Sequence, residues 1–275
     1  MRKCFFNFYN VLLIPPKIIL EIKKALPQTQ LCQYANDDPF AKDAKFFLWN
    51  HFLNSIKYFD KHFAYRESNI QEFHKYGAKK VDLLRSYFIP EEDYPMDQSQ
   101  IEDQFKCDVL FAGHYEDDSR VEFLESIMDS GYSLNLFGGG WNAALPKLRK
   151  DSPLKSKFPI SPVTGDDYRQ AICGSKLALC FLSKLNNDTY TRRNFQIPAM
   201  KTCMLSEYTS DLANMFLENE EVLFFKTKNE MLEKISLVIK NPDLRDKIAE
   251  KGYKRVYLDG HDVYQRAKIF LKSLN

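Results

Sequence analysis

Residues 186–204 read N-N-D-T-Y-T-R-R-N-F-Q-I-P-A-M-K-T-C-M. The run follows an apolar segment, Leu177 to Leu182, that reads as a buried strand, and it precedes a second short apolar run at Cys203 to Leu205. A connection of this length between two such strands is a crossover, and the strands are parallel. The stretch therefore begins at the carboxyl end of a strand, where open α/β sheets bind ligands. Asp188, Thr189 and Thr191 are placed to cap a helix starting near Arg193. Its N–H groups and positive dipole end favour an anion, and Arg192 and Arg193 add two permanent positive charges. The ligand implied is a phosphate or diphosphate beside a polyol. The plain alternative is a capped crossover helix that binds nothing. Pro198 is awkward in either case, because it removes a helical donor outside the first turn.

Outward from this stretch the chain alternates strand and helix in two series. In the first, strands are expected at Val11–Ile14, Leu31–Ala35, His62–Tyr65 and Lys80–Leu84, with helices after Pro16, over Phe46–Tyr58 and from Ser68 to Gly77. Residues 89–104 turn polar, with Pro90, Pro95 and no periodicity, and read as a linker. The second series has strands at Asp108–Phe111, Leu134–Phe137, Leu177–Leu182, Cys203–Leu205 and Val222–Phe225, with helices between and after them. Residues 142–165 form a basic, proline-punctuated loop, too long for a compact domain unless functional or mobile. The fold class expected is α/β, with two Rossmann-like parallel-sheet domains, residues 1–104 and 105–275.

At 275 residues, 44% apolar and 28% charged, the chain has ample material for cores. A net charge of +2, spread along the sequence, gives no basis for nucleic-acid binding. The six cysteines, at 4, 32, 107, 173, 180 and 203, have no metal-ligand spacing and read as reduced core residues of a cytoplasmic protein. Pro15-Pro16 ends the first apolar stretch with no cleavage site after it, which argues against a signal peptide, and no apolar run reaches the ~20 residues of a membrane span.

Several motifs recur in one known order: D-V-L-F-A-G-H-Y at 108–115 with Arg120, F-G-G-G-W at 137–141, Tyr168 in D-D-Y-R-Q-A, T-R-R-N-F-Q-I-P-A at 191–199, Tyr208-Thr209 with Asp211-Leu212, and G-H-D-V-Y-Q-R-A at 260–267. Together they resemble the CgeB-like glycosyltransferases of the GT-B fold, over about 105–270. The likeness extends more weakly to I-P-P-K-I-I-L-E-I, N-D-D-P-F and the run from Ser68 to Val81.

The resemblance implies two Rossmann-like domains facing a cleft. The second holds a nucleotide-diphosphate sugar, and the first takes the acceptor, a glycan, lipid-linked or protein. It implies no metal cofactor, since such sites neutralise the leaving diphosphate with N–H groups, Arg and Lys. It leaves peripheral contact with a membrane open. Gly113, Gly138 and Gly140 would let backbone approach the donor, Arg120 and Arg193 would meet phosphate, and Tyr168 and Thr191 would line the site. The glycines have the alternative of simply making turns, and Arg120 that of a solvated helix face.

Many retaining relatives carry two glutamates with seven residues between them. The matching positions are Asp188, facing the sugar, and Gln196, at the ribose, where a neutral amide accepts more weakly than a carboxylate by about 1 kcal/mol. Asp37-Asp38 matches the family's D-D-P, or else is a turn with helix-capping acids. The first domain has room for about four strands where the family has six or seven, so it is expected to be incomplete. A competing reading is a non-catalytic nucleotide- or glycan-binding remnant of such an enzyme.

Overall fold

The computed structural model describes residues 3–7, 14–42 and 46–274. They group into two compact units, one of residues 1–86, 183–188 and 266–275, the other of 87–182 and 189–265.

The first unit holds a parallel sheet of β1 (Lys3–Asn7), β2 (Gln30–Ala35), β3 (Lys61–Ala64) and β4 (Val81–Leu83), in that spatial order. Residues 11–13 of the strand expected at Val11–Ile14 lie outside the described residues, and Ile14 is a bend; the first described strand is β1. Helices α1 (Pro16–Ala25), α2 (Phe46–Ser55) and α3 (Ser68–Lys75) make the crossovers.

Alternation along β2 and β3 divides the core into two faces. Ala64 packs with Phe52, Ile56 and Phe73 on one side. Cys32 and Phe63 pack with Phe270 and Leu274 on the other. His62 is fully buried on the α3 side. Its Nε2–H donates to Ile56 O at 2.9 Å, its Nδ1 lies 3.0 Å from the Gln33 carboxamide, and its ring stacks on Phe73 at 4.8 Å. Burial lowers its pKa to about 4.

The second unit holds β5 (Cys107–Ala112), β6 (Leu134–Phe137), β7 (Ser175–Cys180), β8 (Cys203–Glu207) and β9 (Leu223–Phe225), all parallel, in the order β6-β5-β7-β8-β9. The helices are α4 (Arg120–Asp129), α5 (Gly165–Gly174), α6 (Arg193–Ala199), α7 (Ser210–Met215), α8 (Lys228–Lys240) and α9 (Pro242–Leu258); α10 (Val263–Ser273) divides between the units at Arg266. β5 pairs with β6 on one side, and the chain then crosses to β7 on the other. The winding direction thus reverses between β5 and β7, which opens a crevice at their carboxyl ends. The strands are apolar on both faces because helices cover both.

Two segments differ from expectation. Residues 89–104, read as a linker, pack within the second unit. Side chains and backbone bind each other here: the Asp93 side chain accepts from Ile89 N at 2.8 Å, the Gln98 side chain donates to Cys173 O at 3.0 Å, and the Glu102 backbone N donates to Gln170 Oε1 at 3.1 Å. Ile101 and Phe105 are buried. Such a segment is ordered without periodicity, so it leaves no local pattern in the sequence. The long loop after Trp141 is anchored as well, by Ala144, Leu148 and Leu154 in the main core.

Candidate functional site

The switch-point crevice of the second unit contains a cavity of about 590 Å³, within the usual size range of small-molecule sites. Ala112 forms its wall at the end of β5. Thr164, Gly165, Asp166, Tyr168 and Arg169 come from the start of α5, Thr191, Arg192, Arg193 and Gln196 from the crossover, and Glu91 to Tyr94 from the irregular segment. Four expected site residues, Tyr168, Thr191, Arg193 and Gln196, therefore meet in one place.

Arg193 bridges the crevice. Its Nη1 donates to Ala112 O at 3.0 Å and its Nη2 to Phe181 O at 3.3 Å, joining the carboxyl ends of the neighbouring strands β5 and β7. A Cβ at Gly113 would lie 2.8 Å from Arg193 Nη1 and 2.7 Å from the Phe111 ring, so this glycine makes room for the arginine.

Gln196 lies between two partners. Its Nε2 donates to Asp93 Oδ1 at 2.9 Å, and its Oε1 accepts from Tyr168 OH at 3.3 Å. Burial pushes the Tyr168 phenol well above its ordinary range, which keeps it a donor, and burial also raises the Asp93 carboxyl. Arg192 stands 3.8 Å from Asp93 and over the Tyr87 ring; Arg169 pairs with Asp166 and stacks on Tyr94 at 3.9 Å. The Nε atoms of Arg169 and Arg192 are buried with no acceptor.

Other expected residues are placed elsewhere. Arg120 is buried, not on a solvated face, and bonds its own loop, to Asp118 at 2.7 Å, Glu116 at 3.4 Å and His114 O; it does not line this cavity. Gly138, at φ +149°, packs against the end of β5, and a Cβ there would lie 1.9 Å from Gly113 O. Gly140, at φ +78°, completes the same turn. Neither lines the cavity.

Asp188 groups with the first unit, where its Oδ1 accepts from Arg66 Nε at 2.9 Å and from Nη2; it is not a cavity residue. Nor do Asp188, Thr189 and Thr191 cap the crossover helix. Thr189 Oγ1 donates to Asp211, Thr191 N donates to the Asn194 side chain at 2.7 Å, and α6 is only seven residues long. Asp38 takes the turn-building role, accepting from Phe40 N, Asn69 and Asn187.

Asp93 and Arg169 line the cavity beyond the residues that the sequence motifs point to. Asp93 was hidden in the segment read as a linker. Arg169 follows Tyr168 directly, and that adjacency was the available signal.

Comparison with known proteins then decides the class. The glycosyl transferase-like family profile matches residues 120–272, just over half of the chain. The chain belongs to that family. Among curated proteins the sequence has no significant match. Solved structures similar to this glycosyltransferase include HepE of Anabaena, in complex with UDP and glucose, at TM-score 0.73 and 10% identity over 94% of this chain and 76% of that one. The sucrose-phosphate synthase of Thermosynechococcus elongatus aligns at TM-score 0.69 and 11% identity, over 99% and 72%. A glycosyltransferase from Rickettsia africae aligns at 0.65 and 12%, over 96% and 81%. At such identities the likeness establishes the fold, which is that of the GT-B glycosyltransferases, with Rossmann-like parallel-sheet domains.

Proposed function

We propose that this glycosyltransferase moves a sugar from a nucleotide-diphosphate sugar to an acceptor hydroxyl or amine on a glycan, lipid or protein. The observation that carries the reading is the convergence of Arg169, Arg192 and Arg193 on the switch-point cavity, with two guanidinium Nε–H groups buried and unmatched there. Buried donors without acceptors are rare, and an anionic ligand would match them. The cavity also offers Thr164, Thr191, Tyr168 and Gln196 to a polyol. The complexes of HepE with UDP and with UDP-glucose, on the same fold, support this choice of ligand.

In this reaction the bond from the anomeric carbon to the diphosphate oxygen breaks, and the acceptor's nucleophilic atom forms the new bond and releases its proton. Negative charge grows on the departing diphosphate. Arginines already fixed in place stabilise that charge without reorganising during the step. The arginines take the part a metal ion plays in other transferases. The aspartate pairs are engaged otherwise, Asp117 with Lys147, Asp166 with Arg169 and Asp38 within its turn. We assign the CgeB-like branch from the motifs at 108–115, 137–141 and 260–267, and a cytoplasmic location from the cysteine pattern. Acceptor recognition is assigned to the first unit. No helix among the described residues is long and apolar enough to cross a membrane.

A panel of nucleotide-sugars, screened by calorimetry and by release of the nucleotide, tests the proposal. Binding of a nucleoside diphosphate that weakens about tenfold or more in Arg192→Ala supports it. Absence of binding by any diphosphate refutes it. One observation favours a second reading, non-catalytic binding of a nucleotide or glycan: Asp188, the expected sugar-facing acid, is held by Arg66. Binding without transfer to any acceptor would select that reading.

A further inference from the structure

We infer that Asp93 is a positioning residue that sets which end of the Gln196 amide the donor ligand meets, an inference that rests on the donor site proposed above. The two ends of a carboxamide have nearly the same shape, and the hydrogen-bond network decides which way it points. An ionised carboxylate has only acceptors, so the amide nitrogen must face it. In the structure Gln196 Nε2 donates to Asp93 Oδ1 at 2.9 Å, and the amide oxygen turns to Tyr168 OH at 3.3 Å.

Asp93 is itself held. Its backbone N donates to Ile89 O at 2.7 Å, and its second carboxylate oxygen accepts from Ile89 N at 2.8 Å. Burial is the largest influence on its pKa and raises it; the Ile89 and Gln196 N–H donors and the Arg192 guanidinium at 3.8 Å oppose that rise and stabilise the carboxylate. The residue is 2% exposed, so its orientation is fixed by packing as well as by bonds.

The consequence is a defined polarity in the cavity wall. Gln196 presents a carbonyl oxygen with one lone pair taken by Tyr168 and a second for a ligand hydroxyl. The Asp93–Gln196–Tyr168 chain thereby makes a neutral amide behave as an acceptor. The carboxylate is supplied from one residue further back, by the irregular segment that precedes β5.

The decisive substitution is Asp93→Asn, which retains an oxygen for Ile89 N but places an amide N–H against Gln196. The Gln196 side chain then has to turn its oxygen inward and offer N–H groups to the cavity. The expected result is a thermal midpoint near that of the wild type and a Kd for UDP, measured by calorimetry at pH 8, about tenfold weaker. The double variant Asp93→Asn with Gln196→Glu restores an acceptor, since a glutamate can accept from the introduced amide and from Tyr168 and still receive a ligand hydroxyl. Its Kd should return to within about threefold of the wild type, a rescue that a merely structural role for Asp93 would not produce.

Equal binding by D93N and wild type overturns the inference, as does loss of binding in D93N without recovery in the double variant. Should D93N fail to fold, Gln196→Glu alone decides. With Asp93 in place it sets two carboxylates in contact, so binding must weaken, and unchanged or tighter binding overturns the inference. A wild-type protein that binds no nucleoside diphosphate at all removes the donor site and this inference with it.

Discussion

Arg193→Ala separates a ligand contact from a structural brace. The guanidinium donates two hydrogen bonds to the carbonyls of Ala112 and Phe181, at the ends of adjacent strands β5 and β7 where the sheet's winding reverses. A hydrogen bond involving a charged group is worth roughly 1.5–3 kcal/mol, so two give roughly 3–6 kcal/mol as an upper range. The cavity beside them admits water, which can satisfy the abandoned carbonyls and recover about half of that. The variant is therefore expected to lose roughly 1.5–3 kcal/mol of stability. For a chain of this size that corresponds to a thermal midpoint lowered by roughly 3–12 °C. Binding of a nucleoside diphosphate should weaken at the same time, because the crevice loses both a charge and its shape. Differential scanning calorimetry and titration calorimetry on one preparation measure the two effects. An unchanged midpoint would refute the bracing argument, whatever happened to binding.

Three other outcomes are expected. His62 is held neutral at a pKa of about 4, against about 6.5 when unfolded, so the unfolded chain binds the extra proton between these values. The histidine's contribution is complete above pH 6.5 and is lost as pH falls towards 4, about 3 kcal/mol in all; His62→Gln should flatten this part of a urea-denaturation pH series, and an unchanged slope would count against it. Gly138→Ala sets a methyl against Gly113 O at 1.9 Å on a backbone that side chains rarely adopt, and should cost about 3 kcal/mol or more, seen as a large fall in thermal midpoint. Asp188→Asn should destabilise the protein by about 2 kcal/mol, by weakening the partner of buried Arg66, while leaving the Kd for a nucleoside diphosphate unchanged. A weakened Kd in a stable D188N protein would return Asp188 to the donor site.

The alternation of short apolar runs with amphipathic segments was enough, from sequence alone, to establish two parallel-sheet series. Local periodicity is a property of each element by itself. The crossover at 186–204 was legible in the same way, because two apolar runs flank it, and Tyr168, Thr191, Arg193 and Gln196 were recoverable as residues that meet. What each does was not recoverable. Arg193 braces two strands because β5 and β7 are neighbours, and strand order is settled by how the helices pack, not by either strand's own residues. Asp188 and Gln196, eight positions apart on one connection, belong to different compact units, because the chain changes units after Asp188. Asp93 reaches Gln196 across 103 positions, from a segment with no periodicity to reveal that it is ordered. Its place in the cavity wall follows from backbone N–H and C=O groups finding side-chain partners, a condition that only the folded chain satisfies.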